Sequence, residues 1–169
     1  IRGCWIKEWD ARRAGHWEDA VKGSSALQAA LRRRILDEVA VINGQHTAGI
    51  YWDMEKFYDS IDLASLLELT QQYEYPMAVA ALDIQIHAAP RVLRWAGSYS
   101  KITPVFSSIL AGSKSSNSYA RMVLYEMMER AHNTVPDSIR QFVDDLAQVD
   151  RGSEEEVRER IMAGAAILK

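Results

Sequence analysis

Three carboxylates at the ends of apolar runs carry the chemistry that can be read from this chain. Asp53 closes the run Thr47-Ala48-Gly49-Ile50-Tyr51-Trp52. Asp144 and Asp145 sit between Ile139-Arg140-Gln141-Phe142-Val143 and Leu146-Ala147-Gln148-Val149. An aromatic-rich apolar run that stops at an acid reads as a buried strand delivering a charge to the end of a sheet, because an unpaired Asp buried in mid-strand is very costly. Asp53 is therefore expected to face something cationic. Two neighbouring carboxylates repel each other unless a cation lies between or beside them. Each acid also has a plainer reading, since Asp is a common turn former and helix cap and suits the tip of a tight hairpin.

The elements that must position these acids follow from periodicity and punctuation. Leu27, Leu31, Ile35 and Val39 recur every four residues after Gly23-Ser24-Ser25 and before Asn43-Gly44, which predicts a capped helix with that stripe as its apolar face and Arg32, Arg33 and Arg34 spread over the other side. The Asp53 strand follows it. Next come a short connection through Phe57, Tyr58 and Asp59, a helix capped by Ser60 or Asp62 and faced by Leu63, Leu66, Leu67 and Leu69, and a third helix from Pro76 to just before Pro90. Arg91 to Trp95 and Tyr99 to Thr103 read as a hairpin. A loop of small polar residues, Ser107 to Ser118, opens a long helix from Tyr119 to Ala131 with Met122, Val123, Met127 and Met128 as core candidates. Such a loop is either a flexible linker with a cap or a holder of an anion at a helix N-terminus. The Asp144-Asp145 hairpin comes after Pro136, and Ser153 caps a last helix with Val157, Ile161 and Ala165 inward. Residues 1 to 22, with Trp5, Trp9 and Trp17 among charges, give no clear pattern.

With 169 residues the chain suits one domain or one compact part of a larger one. It begins at Ile1 and stops in a helical pattern at Lys169, so both ends are expected to be cuts through a longer polypeptide. The formal charge of -3 gives no overall basic footprint for nucleic acid. The charge is uneven, however: residues 51 to 100 hold seven acids against Lys56, Arg91 and Arg94, while the first fifty hold eight Lys and Arg. That suits a metal-dependent site for a polyanion, and equally a solvated surface. One cysteine, Cys4, excludes a disulfide framework and makes a reducing, intracellular setting the simpler expectation, and four scattered His residues show no ligand spacing. No apolar run is long enough for a membrane span.

Taken in order, these parts resemble the reverse transcriptases from about Trp17 onward, most closely the non-LTR retrotransposon and group II intron enzymes. Asp53-Met54-Glu55-Lys56-Phe57-Tyr58-Asp59-Ser60-Ile61 is similar to the family's first catalytic motif, and Phe142-Val143-Asp144-Asp145-Leu146 to its aromatic-x-Asp-Asp motif. Ala111-Gly112-Ser113-Lys114-Ser115-Ser116 is similar to the loop between them, and Lys22 to Ala26 to a short motif before the first helix.

The resemblance implies an α+β fold, a ferredoxin-like antiparallel palm sheet with helices packed on one face, plus part of the fingers. Residues 1-46 would be the partial fingers segment and 47-169 the palm. It implies an RNA-directed DNA polymerase that adds deoxynucleotides with two Mg²⁺ ions, or Mn²⁺, held by Asp53, Asp144 and Asp145; such ions lie about 3.5 to 4 Å apart and take carboxylate oxygens. Tyr58 would lie under the incoming sugar and exclude a 2′-hydroxyl, with Phe57 the adjacent alternative. Gly112, Ser113 and Ser116 would let backbone approach nucleotide and template, and Phe142 would pack beneath the primer end. Asp59 is expected to be structural. The partners would be an RNA template, a DNA or RNA primer, dNTPs, and the remaining fingers and thumb segments of the same polypeptide. Ala111 stands where Gln is usual, and Lys114 and Asn117 where Pro is common. Those departures motivate an alternative, a catalytically degenerate domain that binds nucleic acid or acts as a scaffold. An RNA-dependent RNA polymerase is a third reading, which Tyr58 argues against.

Overall fold

A computed structural model describes residues 2–168; Ile1 and Lys169, where the expected cuts fall, lie outside the described residues. The elements run α1 (Arg2–Arg13), α2 (Ala26–Ile42), β1 (His46–Trp52), α3 (Phe57–Ser60), α4 (Leu63–Gln72), α5 (Met77–Ala88), β2 (Arg94–Trp95), β3 (Ser98–Tyr99), α6 (Ser116–Thr134), β4 (Ile139–Phe142), β5 (Asp145–Gly152) and α7 (Glu154–Ile167). This is a mixed helical and antiparallel-sheet, α+β chain. Among the described residues no helix is long and apolar enough to cross a membrane.

The chain forms two compact units, Ile1–Arg13 with Glu55–Val123, and Ala14–Met54 with Leu124–Lys169. The expected boundary between residues 46 and 47 divides the chain by role. The compact units cut it elsewhere, because α2 packs on the strand that follows it.

In the first unit, α1 forms where sequence periodicity was silent. Trp9 is buried and its indole donates to the Tyr73 carbonyl at 2.8 Å, while Asp10 pairs with the buried Arg121 at 2.7 Å. Trp9, the buried Ile6 and one ion pair thus anchor a helix that leaves its charged residues and Trp5 outside. Asp62 caps α4 by accepting from the Ser65 amide at 2.7 Å, and Leu63 and Leu66 are buried beneath it. Helix α5 buries Val79, Ala80, Asp83 and His87 and leaves Ile86 exposed. Polar groups can occupy that face because they are bonded there. Asp83 accepts from Ser115 and from the Tyr119 hydroxyl, and the Leu110 amide donates to His87 Nδ1. The hairpin is present with a shorter ladder than expected, turning through Ala96 and Gly97, both at positive φ as a tight two-residue turn requires.

The second unit is built on a three-stranded antiparallel sheet in the order β1-β5-β4. Every β1 pair from His46↔Gly152 to Trp52↔Leu146 is in register, and β4 pairs from Ile139↔Gln148 to Phe142↔Asp145. Residues 17–19 extend the outer edge, with Gln141 N donating to the Trp17 carbonyl and Asp19 N donating to the Gln141 carbonyl.

Successive residues of β5 point to opposite faces, and the two faces carry different helices. Gln148 and Asp150 face α7: the Gln148 amide donates to the Arg160 carbonyl, and Arg160 pairs with the buried Asp150 at 2.7 Å. Arg151 faces α2, where it pairs with Asp37 at 2.7 Å. Helices thus cover both faces of the sheet, α7 on one and α2, from the segment expected to be fingers, on the other. Ser153 and Glu156 close a reciprocal capping box at the start of α7.

Two further expectations are corrected by α2 and β1. Ser25 caps α2, and Gly44 follows it at positive φ as expected. The helix, however, packs through Ala29, Arg33, Asp37 and Ala40, and its Leu27, Ile35 and Ile42 are 77%, 50% and 82% exposed. The small residues at Ala29 and Ala40 let its axis approach the sheet, whose Gly49 is equally small. Strand β1 is correspondingly not buried, for no residue from His46 to Trp52 is fully enclosed.

Candidate metal-binding site at the sheet end

Strand register places the acids. One step past Trp52↔Leu146 brings Asp53 level with Asp145, and Asp145 is itself paired with Phe142. Phe142 and Asp145 thus pair at one end of the sheet, and Asp53 lies just past the end of β1 in line with them. Asp144 is in the two-residue turn before Asp145. The Val143 φ of 61° lies in the left-handed region, where a β-branched side chain is strained. Positive φ at the first turn position is the geometry that matches strand twist in a tight hairpin, and it is usually filled by Gly. The buried Gln141 amide helps hold this turn by donating to the Val143 carbonyl at 2.7 Å.

This end of the sheet opens on a cavity of about 250 Å³ lined by Arg33, Tyr51, Asp53, Phe142 and Asp145. The Asp145 carboxyl titrates above its ordinary value, first because it is partly desolvated and then because Asp144 and Asp53 repel its charge; Arg33 pulls in the opposite direction. Asp145 therefore feels the charge of both other carboxylates. Among the described residues, no group of three or more His, Cys, Asp or Glu is gathered closely enough to hold a metal ion.

From sequence, Arg33 was one of three successive arginines that could touch a phosphate backbone or simply be solvated. Its guanidinium lies 5.9 Å from the Tyr51 ring centroid, on the side of α2 that packs against the sheet. The signal was available in the spacing Ala29, Arg33, Asp37, Ala40, a helical stripe less conspicuous than the leucines opposite it.

The other expected site residues lie in the first unit. Tyr58 is half-buried beside a buried Phe57, their rings 5.3 Å apart, so Phe57 is the core member of the pair. Gly112 is exposed at φ 81°, with open space where a Cβ would stand. Ser113 and Ser116 share a hydrogen bond of 2.8 Å, and the buried Ser116 hydroxyl also donates to the Leu110 carbonyl. These two serines shape their own loop. Asp59 accepts from Ser108 at 3.0 Å, the structural part expected of it.

Neither a family model nor a curated protein matches the chain. Among solved structures it is similar to apo telomerase from Candida tropicalis truncated from the C-terminal domain, with a TM-score of 0.61 and 11% identity over 98% of this chain. The chain spans 35% of that telomerase chain. Telomerase is a reverse transcriptase, so the fold is reverse-transcriptase-like.

Proposed function

We propose that the chain forms the palm and part of the fingers of an RNA-directed DNA polymerase of retroelement type, a nucleotidyltransferase that adds deoxynucleotides to a primer on an RNA template. The observation that carries this reading is the placing of Asp53 and Asp145 at one sheet end, with Asp144 in the adjoining turn, in a reverse-transcriptase-like fold. Carboxylate oxygens at such a place suit Mg²⁺ or Mn²⁺. When bound there, a pair of divalent ions supplies the charge that activates a primer hydroxyl and neutralises a triphosphate.

The chain's own residues do the holding. Asp53 and Asp144 are the principal ligands and Asp145 a second contributor, while the hairpin ladder and Gln141 fix where the turn projects. Phe142 offers a ring beside the acids for the primer end. The nucleotide-contact roles of Tyr58, Gly112, Ser113 and Ser116 rest on motif order.

The test is primer extension by the full-length parent protein on an RNA template with Mg²⁺ and dNTPs. Asp144→Ala is expected to reduce incorporation by at least 100-fold, the scale on which loss of one charge-stabilising group acts in an enzyme site. Undiminished incorporation would end the proposal.

A second reading, a degenerate domain that keeps the fold and binds nucleic acid or a partner, draws on Ala111 and on the ungathered carboxylates. A well-folded parent with no incorporation under either metal would favour it.

A further inference from the structure

In the first unit, α5 holds the loop before α6 at two points. Asp83 and His87 are four residues apart, so they share one face of the helix about 6 Å apart along its axis, and both are buried. His87 Nδ1 accepts from the Leu110 amide at 3.0 Å, while the Asp83 carboxylate accepts from the Ser115 hydroxyl and, at 3.0 Å, from the Tyr119 hydroxyl. The segment between the two holds is closed on itself, because the Leu110 carbonyl accepts from the Ser113 amide at 3.1 Å and from the Ser116 hydroxyl at 2.8 Å. Just before it, the Ile109 amide donates to the Tyr58 carbonyl at 2.9 Å. Ser115 and Ser116 are buried, whereas Ala111, Gly112 and Lys114 are exposed. A loop fixed from beneath at both ends thus presents its middle outward. An apolar residue at position 83 or 87 would bury the same helix face without desolvating a polar group. What Asp83 and His87 add is the position of the loop.

We propose that Asp83 and His87 are positioning residues for nucleotide binding, a clamp on Leu110 and Ser115 that keeps Ala111 to Lys114 in one conformation toward an incoming nucleotide. The proposal rests on the polymerase reading, which supplies the nucleotide; the clamp is a matter of α5 and the loop alone. Both residues act through the loop. A loop already ordered binds without first losing conformational freedom, so loosening it weakens affinity and leaves the chemical step in place. The His87 hold also fixes the state of the ring, since an imidazole nitrogen that accepts from an amide carries no hydrogen.

The experiment is primer extension by the full-length parent on an RNA template at varied dNTP, paired with amide hydrogen exchange of the same proteins without substrate. His87→Phe keeps an aromatic ring against Tyr119, whose centroid lies 6.0 Å from that of the imidazole, and removes the acceptor. It is expected to speed exchange across residues 110–116 and to raise KM for dNTP about tenfold, the scale of one amide left unsatisfied, with kcat within about twofold. His87→Asn, whose Oδ1 is as many bonds from Cα as the imidazole Nδ1, is expected to recover most of both changes. Ser115→Ala releases the other end of the loop while leaving Tyr119 on Asp83, and is expected to raise KM in the same way. Ile86→Gln, on the exposed side of α5, is the control. Four results in an active parent would overturn this proposal alone: unchanged exchange or unchanged KM in His87→Phe, a fall in kcat in place of a rise in KM, no recovery in His87→Asn, or an equal rise in KM in Ile86→Gln. An inactive parent would end the polymerase reading and this proposal with it.

Discussion

Asp53 lies one residue past the end of β1, where continuing the register of Trp52 and Leu146 brings it to Asp145 of β5, whose charge it repels. Residues opposite one another on a sheet face interact directly, and like charges there are unfavourable. That relationship, with Asp144 in the adjoining turn, raises the Asp145 titration point beyond what its partial burial does alone. Asp53→Asn is therefore expected to move Asp145 back down toward ordinary carboxyl behaviour, and Arg33→Gln to move it further up. Carboxyl-carbon NMR titration of the two variants reads both directions, and opposite or absent movements would separate Asp53 from the site.

Val143 holds a left-handed conformation at the first turn position, next to Asp144. Strain of this kind costs about 1 to 3 kcal/mol, partly offset by the greater chain entropy that Gly would lose on folding. Val143→Gly is expected to stabilise the fold by about 1 kcal/mol, raising Tm by about 2 to 4 °C in a chain of this size. Since the same turn aims Asp144, the more stable variant is expected to incorporate dNTPs more slowly. A lower Tm would show that the Val143 side chain contributes packing that outweighs its strain.

The two faces of α2 respond in opposite senses to substitution. Ala29 is buried against the sheet, so Ala29→Leu overpacks it, at a cost of about 1 to 3 kcal/mol. Ile35 is exposed, and Ile35→Lys is expected to change stability by less than about 0.5 kcal/mol. Chemical denaturation of the pair checks this. A large loss in Ile35→Lys and none in Ala29→Leu would restore the leucine stripe as the packed face.

The α7 capping box gives a pH dependence. Glu156 titrates below its ordinary 4.5 because the Ser153 amide and hydroxyl donate to its carboxylate. A carboxyl lowered in the folded state contributes stability above its unfolded value and loses it as pH falls through the folded one. Between pH 4.5 and the acid limit, the parent should thus lose stability that Glu156→Gln, already neutral, does not lose. Matched Tm-against-pH curves test this, and parallel curves would remove the capping carboxylate from the acid response. Ser153→Ala, which deletes the hydroxyl from the cap, is expected to cost about 1 kcal/mol at neutral pH.

Local chemistry made much of this fold legible. Ser25, Asp62 and Ser153 cap the helices that their types announced, Gly44 ends α2, and the strands flanking Asp144-Asp145 pair as apolar runs around a turn should. Facing was harder to read. A helix turns its largest apolar stripe inward only when that stripe meets the most surface, and α2 instead uses Ala29 and Ala40 to approach the sheet closely. In α5, Asp83 and His87 are buried because distant Tyr119, Ser115 and Leu110 bond to them, and such long-range partners leave no local periodicity. Helix α1 was missed for the same reason, since its anchors are Tyr73 and Arg121, far along the chain. The candidate site divided likewise: the acids declared themselves at strand ends, whereas Arg33 belongs to the site only because α2 turns that side to the sheet.

Titration of the chain with Mn²⁺, following free ion by electron paramagnetic resonance, measures most directly whether Asp53 and the Asp144-Asp145 pair form one divalent-cation site. The expected result is saturable binding, weakened at least tenfold by Asp53→Asn and by Asp144→Asn alike. Equal affinity in the parent chain and both variants, or no saturable binding in any of them, would contradict it.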